Sequence, residues 1–134
     1  QPIAKDYCGT CTKCIDACPT QAILPNKTIE ANHCISYYTI ELKKQQIETD
    51  SDRSYQDWAF GCDICQDVCP WNRFSHPHQE SKFKPIEGLL TMSKDAWLQM
   101  EETSFKARFK QSPLLRSKLN GIKRNIDYLK NQEQ

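Results

Sequence analysis

Apolar residues are scarce in this chain. They make up 38% of its 134 residues, and nowhere do 18 of them run together. The first shortage limits how much ordinary core can form, and the second excludes a membrane-spanning helix. No secretory signal is present either, so the eight cysteines are expected to stay reduced in a cytoplasmic, soluble protein with no membrane partner. Internal repeats other than two cysteine runs, and low-complexity segments, are absent. The sequence offers no convincing catalytic base, nucleophile or substrate pocket, so no catalytic residue is assigned. It also lacks a starting Met and reaches its first cysteine at position 8, which reads as a piece cut from a longer protein. Net charge is nearly absent, at +1, yet residues 1–80 carry seven Lys or Arg against eleven Asp or Glu, and residues 81–134 carry eleven against six. An acidic front half precedes a basic tail.

What the chain does have is cysteine in a pattern. Seven lie in two runs, Cys8-x-x-Cys11-x-x-Cys14-x-x-x-Cys18-Pro19 and Cys62-x-x-Cys65-x-x-x-Cys69-Pro70, and Cys34 stands between them. A C-x-x-C-x-x-C turn aims three thiolates at one 4Fe-4S cubane, and the cysteine four residues on ligates the other cluster in two-cluster ferredoxins. The second run lacks its expected first cysteine, since Ala59 holds that position, and Cys34 fills the vacancy. Cys8, Cys11, Cys14 and Cys69 are therefore assigned to one cluster, and Cys18, Cys34, Cys62 and Cys65 to the other.

Two other uses of these cysteines compete. A disulfide framework would suit the even count, but thiols at i, i+3 and i+6 cannot all bridge distant partners. Structural zinc prefers two separated pairs and has no need of a third cysteine at the same spacing. Histidine ligation through His76 or His78 is a weaker option, because eight thiolates already complete two clusters. With so little apolar material, the clusters should act as the core of residues 1–75, which should be largely unfolded without iron.

The expected fold is α+β but mostly α: a bacterial two-4Fe-4S ferredoxin-like module over residues 1–75, then a helical C-terminal extension over residues 76–134. Thr28-Ile29-Glu30 reads as a turn leading to a helix from Ala31 to Lys44 that carries Cys34, with Ile35, Tyr38 and Leu42 near helical spacing. Residues 45–57 read as an exposed loop. Ser93 can cap a helix through Trp97 and Met100, and a short helix is expected from Thr103 to Lys110, before Pro113. Leu115, Leu119, Ile122, Ile126 and Leu129 make one apolar helical stripe. Arg116, Lys118, Lys123, Arg124 and Lys130 occupy its other faces, as a solvated surface or a nucleic-acid patch.

A cluster pair moves single electrons and needs a reactive centre supplied elsewhere. The chain is either a freestanding electron carrier or the electron-feeding module of a reductase. The basic tail and the aromatic stretches exceed what a minimal carrier needs. Three cysteine-bearing stretches, Cys8-Gly9-Thr10-Cys11-Thr12-Lys13-Cys14 with Cys18-Pro19-Thr20, Cys34-Ile35-Ser36-Tyr37 with Thr39-Ile40-Glu41, and Phe60-Gly61-Cys62-Asp63 through Cys69-Pro70-Trp71-Asn72-Arg73, resemble the C-terminal, iron-sulfur part of epoxyqueuosine reductase. Phe109-Lys110-Gln111-Ser112-Pro113 and Gly121-Ile122-Lys123-Arg124-Asn125 resemble that family's tail. The alternative is a stand-alone two-cluster ferredoxin-type electron carrier, or the cluster module of another corrinoid reductase such as a reductive dehalogenase.

The resemblance implies reduction of epoxyqueuosine to queuosine in tRNA, with electrons from an external donor passing singly through the clusters to cobalamin. It also implies that cobalamin is held mainly by a domain preceding the first cysteine run, where an Asp donates the proton, so these residues alone should be catalytically silent. Glu41, Cys62 and Asp63 are the candidate cobalamin contacts, and Ser36 and Tyr38 the candidate tRNA contacts. Tyr38 fits core packing equally well. The protein is expected to act as a monomer.

Overall fold

The structure is a computed structural model that describes residues 6–44, 47 and 54–132. Most of the 45–57 segment read as a loop lies outside the described residues. Short helices and turns dominate. In chain order they are α1 (Lys13–Ala17), a 3-10 turn (Ala31–His33), a π-helix (Tyr37–Glu41), α2 (Ile64–Asp67), three 3-10 turns (Pro70–Phe74, Ser81–Phe83 and Leu89–Thr91), α3 (Lys94–Gln99), α4 (Glu102–Phe109), a 3-10 turn (Pro113–Arg116) and α5 (Lys118–Gln132).

The β component of the expected α+β fold is missing. Among the described residues the one β feature is an isolated antiparallel bridge between Ile23 and Ile29. The chain doubles back there through Lys27 at φ 63, and the N–H groups of Leu24 and Glu30 donate to the carbonyls of Thr28 and Ala22. The segments flanking this bridge hold cysteines in turns and one-turn helices, so no backbone is left to extend a ladder.

The helix expected from Ala31 to Lys44 is also interrupted. A 3-10 turn ends at His33, Cys34 is extended at φ −76 and ψ 128, and the chain then re-enters helix and widens into the π-helix. Cys34 thus sits at a break between two helical pieces. The Thr39 hydroxyl donates to the Ile35 carbonyl, a side-chain bond that competes with the regular helical ladder.

The tail follows the sequence pattern closely. Ser93 caps α3 by accepting from the Ala96 N–H, although the helix stops at Gln99 because Met100 is extended. The apolar stripe of α5 buries Leu119, Ile122, Ile126 and Leu129, whereas Leu115 falls on the preceding 3-10 turn and stays exposed. Leu119, Ile122 and Ile126 pack with Phe105 and Phe109 of α4, and Trp97 of α3 stacks on Phe109 at 5.3 Å between ring centroids. Burying each such side chain is worth about 1.5–3 kcal/mol, so this group can hold the tail together. Leu129, one turn further, packs with Ile35 and Tyr55. Helix α5 therefore joins the tail core to the segment bearing Cys34. No described helix is long and apolar enough to cross a membrane.

Candidate metal centre

The first cysteine run folds because polar groups stitch its loop. The Cys8 N–H donates to the Asp6 carboxylate at 2.8 Å, and the Cys11 N–H donates to the Cys8 carbonyl. Gly9 has φ +51, a conformation glycine adopts without strain, and Lys27 Nζ donates to its carbonyl at 2.7 Å. Cys14 rides on α1, and the chain straightens at Cys18. In the second run Cys69 is extended, and Pro70 starts the following 3-10 turn, where its missing N–H costs nothing.

These pieces bring cysteines from both runs together. Cys8, Cys11, Cys14 and Cys69 line one cavity of about 220 Å³, bordered by Tyr7, Pro70 and Trp71. That set takes three members from the first run and one, the last cysteine, from the second. Helices α1 and α2 pack against one another. The remaining cysteines are linked electrostatically. Burial first, and then the charges of Cys65, Cys34 and Cys18, push the Cys62 thiol up. Cys65 is likewise raised by burial, and then by Cys18, Cys34 and Cys14. Cys62 and Cys65 thus feel the charges of Cys18 and Cys34, the four residues assigned to the second cluster, and Cys65 also feels that of Cys14.

The donor chemistry fits iron-sulfur clusters. All eight thiols are free, which removes the disulfide alternative in this structure. A cubane spreads its four thiolates over a larger body than the single ion of a zinc site does. Burial alone would raise the Cys18 thiol, but the N–H groups of Ala22, Thr20 and Ile23 and the Thr20 hydroxyl hold it below its ordinary value. The Ala22 N–H lies 3.2 Å from its Sγ. His78 instead sets its ring against Phe83 at 5.0 Å and stays exposed.

The other candidates from the sequence lie on or beside the second group. Ser36 precedes the π-helix and makes no capping bond. Tyr38 donates its hydroxyl to the Asn32 carbonyl at 2.7 Å, and its ring packs against Tyr37 and Tyr55. Glu41 is gripped by both nitrogens of the Arg116 fork, at 2.7 and 2.8 Å. Asp63 is exposed ahead of α2, and its carbonyl accepts from the N–H groups of Gln66 and Asp67.

Sequence reasoning missed the residues that brace this region. Arg124, read as part of a basic face, is half-buried. Its guanidinium donates to the carbonyls of Tyr38, Leu42 and Lys44 at 2.7–2.8 Å and to Asn125 Oδ1. Ser117 Oγ donates to the Thr39 carbonyl at 2.9 Å. Buried Asn125 donates to the carbonyls of Thr39 and Ala59. Widening into a π-helix leaves carbonyls that no later turn satisfies, and α5 supplies their donors.

Comparison with known proteins agrees with this geometry. Residues 7–72 match a family described as a 4Fe-4S double cluster binding domain. An epoxyqueuosine reductase of Cellulophaga algicola is 54% identical over 93% of this chain and 40% of its own length. One from Synechocystis is 42% identical over 89% of this chain and 42% of its own. Among solved structures, an epoxyqueuosine reductase from Bacillus subtilis superposes with a TM-score of 0.78 at 28% identity, over 96% of this chain and 34% of that one. Another, with the same score, identity and coverage, was crystallised with an epoxyqueuosine-modified tRNA stem loop. The chain spans about 40% of the length of the curated relatives it matches.

Proposed function

We propose that this chain is the electron-feeding part of an epoxyqueuosine reductase, a reading supported by the match of residues 7–72 to the 4Fe-4S double-cluster family and by the likeness to such reductases along most of its length. The observation that carries this reading is the crossed ligand set, with Cys69 of the second run sharing one cavity with Cys8, Cys11 and Cys14. This exchange is the ferredoxin-like feature of residues 1–75, and residues 76–134 brace it. Both ligand groups come from one chain, which is consistent with a monomer.

In the reaction, an external donor supplies two electrons, and with two protons the epoxide of epoxyqueuosine in tRNA becomes an alkene and releases its oxygen as water. When bound, the clusters supply one-electron steps and cobalamin a strongly reducing cobalt centre. The chain's own residues hold and tune that path. The eight thiolates bind iron, and the packing of α1, which carries Cys14, against α2, which carries Cys65, sets the two groups side by side. The Ala22 N–H directed at Cys18 Sγ favours the more negative, reduced state of the second cluster and so raises its potential. Ala22 and Thr20, both buried, keep water from that sulfur.

Glu41, Cys62 and Asp63 are the residues we assign to the cobalamin side. The Thr39 hydroxyl accepts the Gly61 N–H at 3.0 Å, which joins the π-helix to the segment entering Cys62. Ser36 and Tyr38 are assigned to tRNA; Tyr38 can present a ring edge while its hydroxyl stays anchored. The reading places the protein in the reducing cytoplasm. It is tested with the full-length protein, purified anaerobically and supplied with cobalamin, reduced viologen and epoxyqueuosine-containing tRNA. Queuosine is the expected product, and none after full cluster loading would overturn the reading.

A further inference from the structure

Leu42, Lys43 and Lys44, leaving the π-helix, face the first two turns of α5 across a concavity of about 600 Å³. Lys43, Lys44, Arg116, Lys118, Lys123 and Arg124 line it, against a single carboxylate, Asp127. These cations are not equivalent. Arg116 is matched by Glu41. Among the described residues Arg124 donates to neutral oxygens, and the positive charge at its half-buried head meets no carboxylate there. Lys43, Lys118 and Lys123 make no salt bridge among the described residues. Lys118 also opens α5 at φ 58, in the left-handed region that a long side chain adopts only under strain.

We propose that this groove takes the sugar-phosphate backbone of an RNA. The inference rests on the reading that tRNA is the substrate and names the surface that would carry it. Three features favour a phosphodiester chain over a small anion. The cations come from two separate segments and are spread along the walls. The flexible lysines act as point charges and do not form a fixed fork, which suits sequence-independent contact with successive phosphates. The front half of the chain is acidic, and its thiolate clusters add negative charge, so RNA is repelled from most of that surface and attracted where these cations gather. The groove begins where the π-helix ends, and Ser36 and Tyr38 lie at that helix's other end. A backbone seated in the groove would bring its neighbouring nucleotides toward those residues and the second group of cysteines.

The test uses the full-length, cluster-loaded protein and an anticodon stem-loop RNA, with binding followed by fluorescence anisotropy across a salt series. The triple variant Lys43→Gln/Lys118→Gln/Lys123→Gln should weaken binding by about 10- to 100-fold at low salt. It should also flatten the slope of log affinity against log salt by about two to three, roughly one per lost phosphate contact. Iron content and the EPR spectrum should not change, and arginine at the same three positions should restore affinity. A double variant, Lys43→Gln/Lys123→Gln, leaves the strained position intact and should show about two-thirds of the slope change. Unchanged affinity and slope, in a protein whose wild type still makes queuosine, would overturn the groove assignment and leave the reductase reading standing. Unchanged RNA binding with slower reduction by the electron donor would assign the groove to an acidic protein and likewise overturn the proposal. A wild-type protein that neither binds the stem loop nor makes queuosine would overturn the functional reading itself.

Discussion

Asn125 of α5 and Thr39 of the π-helix are joined at 2.8 Å, amide nitrogen to carbonyl oxygen, and the same amide reaches the Ala59 carbonyl at 2.8 Å. Thr39 in turn donates its hydroxyl to Ile35, next to Cys34, and accepts the N–H of Gly61, next to Cys62. Two cysteines assigned to one cluster, 28 positions apart in sequence, are thus referenced to a single buried side chain on the tail. Replacing Asn125 with Ala strands two carbonyls and should cost about 2–4 kcal/mol. It should also broaden or shift the EPR signal of the second cluster while leaving the first unchanged. Asn125→Asp should be at least as damaging, because a carboxylate cannot donate to a carbonyl. A normal melting temperature and spectrum in both variants would show that the amide is dispensable.

The crossed ligand assignment predicts which cysteine substitutions act together. Cys8→Ser and Cys69→Ser should damage the same cluster, although they lie in different runs, and Cys34→Ser and Cys62→Ser the other. Iron should fall from about eight per chain toward about four in each single variant. The Cys8→Ser/Cys69→Ser pair should lose no more than either single change, whereas Cys8→Ser/Cys34→Ser should lose both clusters. Iron and sulfide analysis with EPR of the reduced protein checks this. Loss of a different cluster by Cys69→Ser than by Cys8→Ser would mean that each run serves its own cluster.

The Glu41–Arg116 pair predicts a pH dependence. Hydrogen bonds from Arg116 hold the Glu41 carboxyl below its ordinary value of 4.5. A carboxyl with a depressed folded pKa binds protons less readily in the folded state than in the unfolded one. Its stabilisation is therefore complete above about pH 4.5 and is lost as pH falls through the lower folded value. Both side chains are largely exposed, so the effect should be small and salt-sensitive. The melting temperatures of wild type and Glu41→Gln should differ most near neutral pH and converge in acid; a gap that widens on acidification would contradict the pairing.

The legible and illegible parts of the sequence divide by the range of the interactions involved. Ser93 announces its helix because a cap needs only the N–H three residues on. Leu119, Ile122, Ile126 and Leu129 announce theirs because one buried face repeats every three or four residues. The crossed sharing of a cavity by Cys69 and Cys8 was readable because cluster ligation ties spacing to geometry. Arg124 and Asn125 were not legible, since their partners lie 66–86 residues away and a surface arginine looks the same in sequence as one that binds carbonyls. Cys34 was misplaced onto a continuous helix for a related reason. The widening to a π-helix is set by Thr39 and by donors from α5, and no local pattern encodes either.

Removing iron should separate the two halves of the molecule. The tail has its own apolar core, with Phe105, Phe109, Leu119, Ile122 and Ile126 buried together. Most of the cluster-bearing half has none: around the cysteines only Thr20, Ala22, Ile35 and Thr39 are buried among residues 6–44. With the metal gone, eight thiols must re-ionise or re-protonate beside one another without iron to bind them, and that half loses the bonds that replaced burial. Chelation under reducing conditions should then abolish hydrogen-exchange protection across α1, α2 and the turns between them. Protection in α4 and most of α5 should survive, and the helical circular dichroism signal should fall only in part. Asn125 and Arg124 should lose their partners, so α5 should fray on the face that meets the π-helix while its α4 face stays protected. Uniform loss of protection throughout the chain would mean that the tail core cannot stand without the clusters, and uniform retention that the clusters are not the core of the front half.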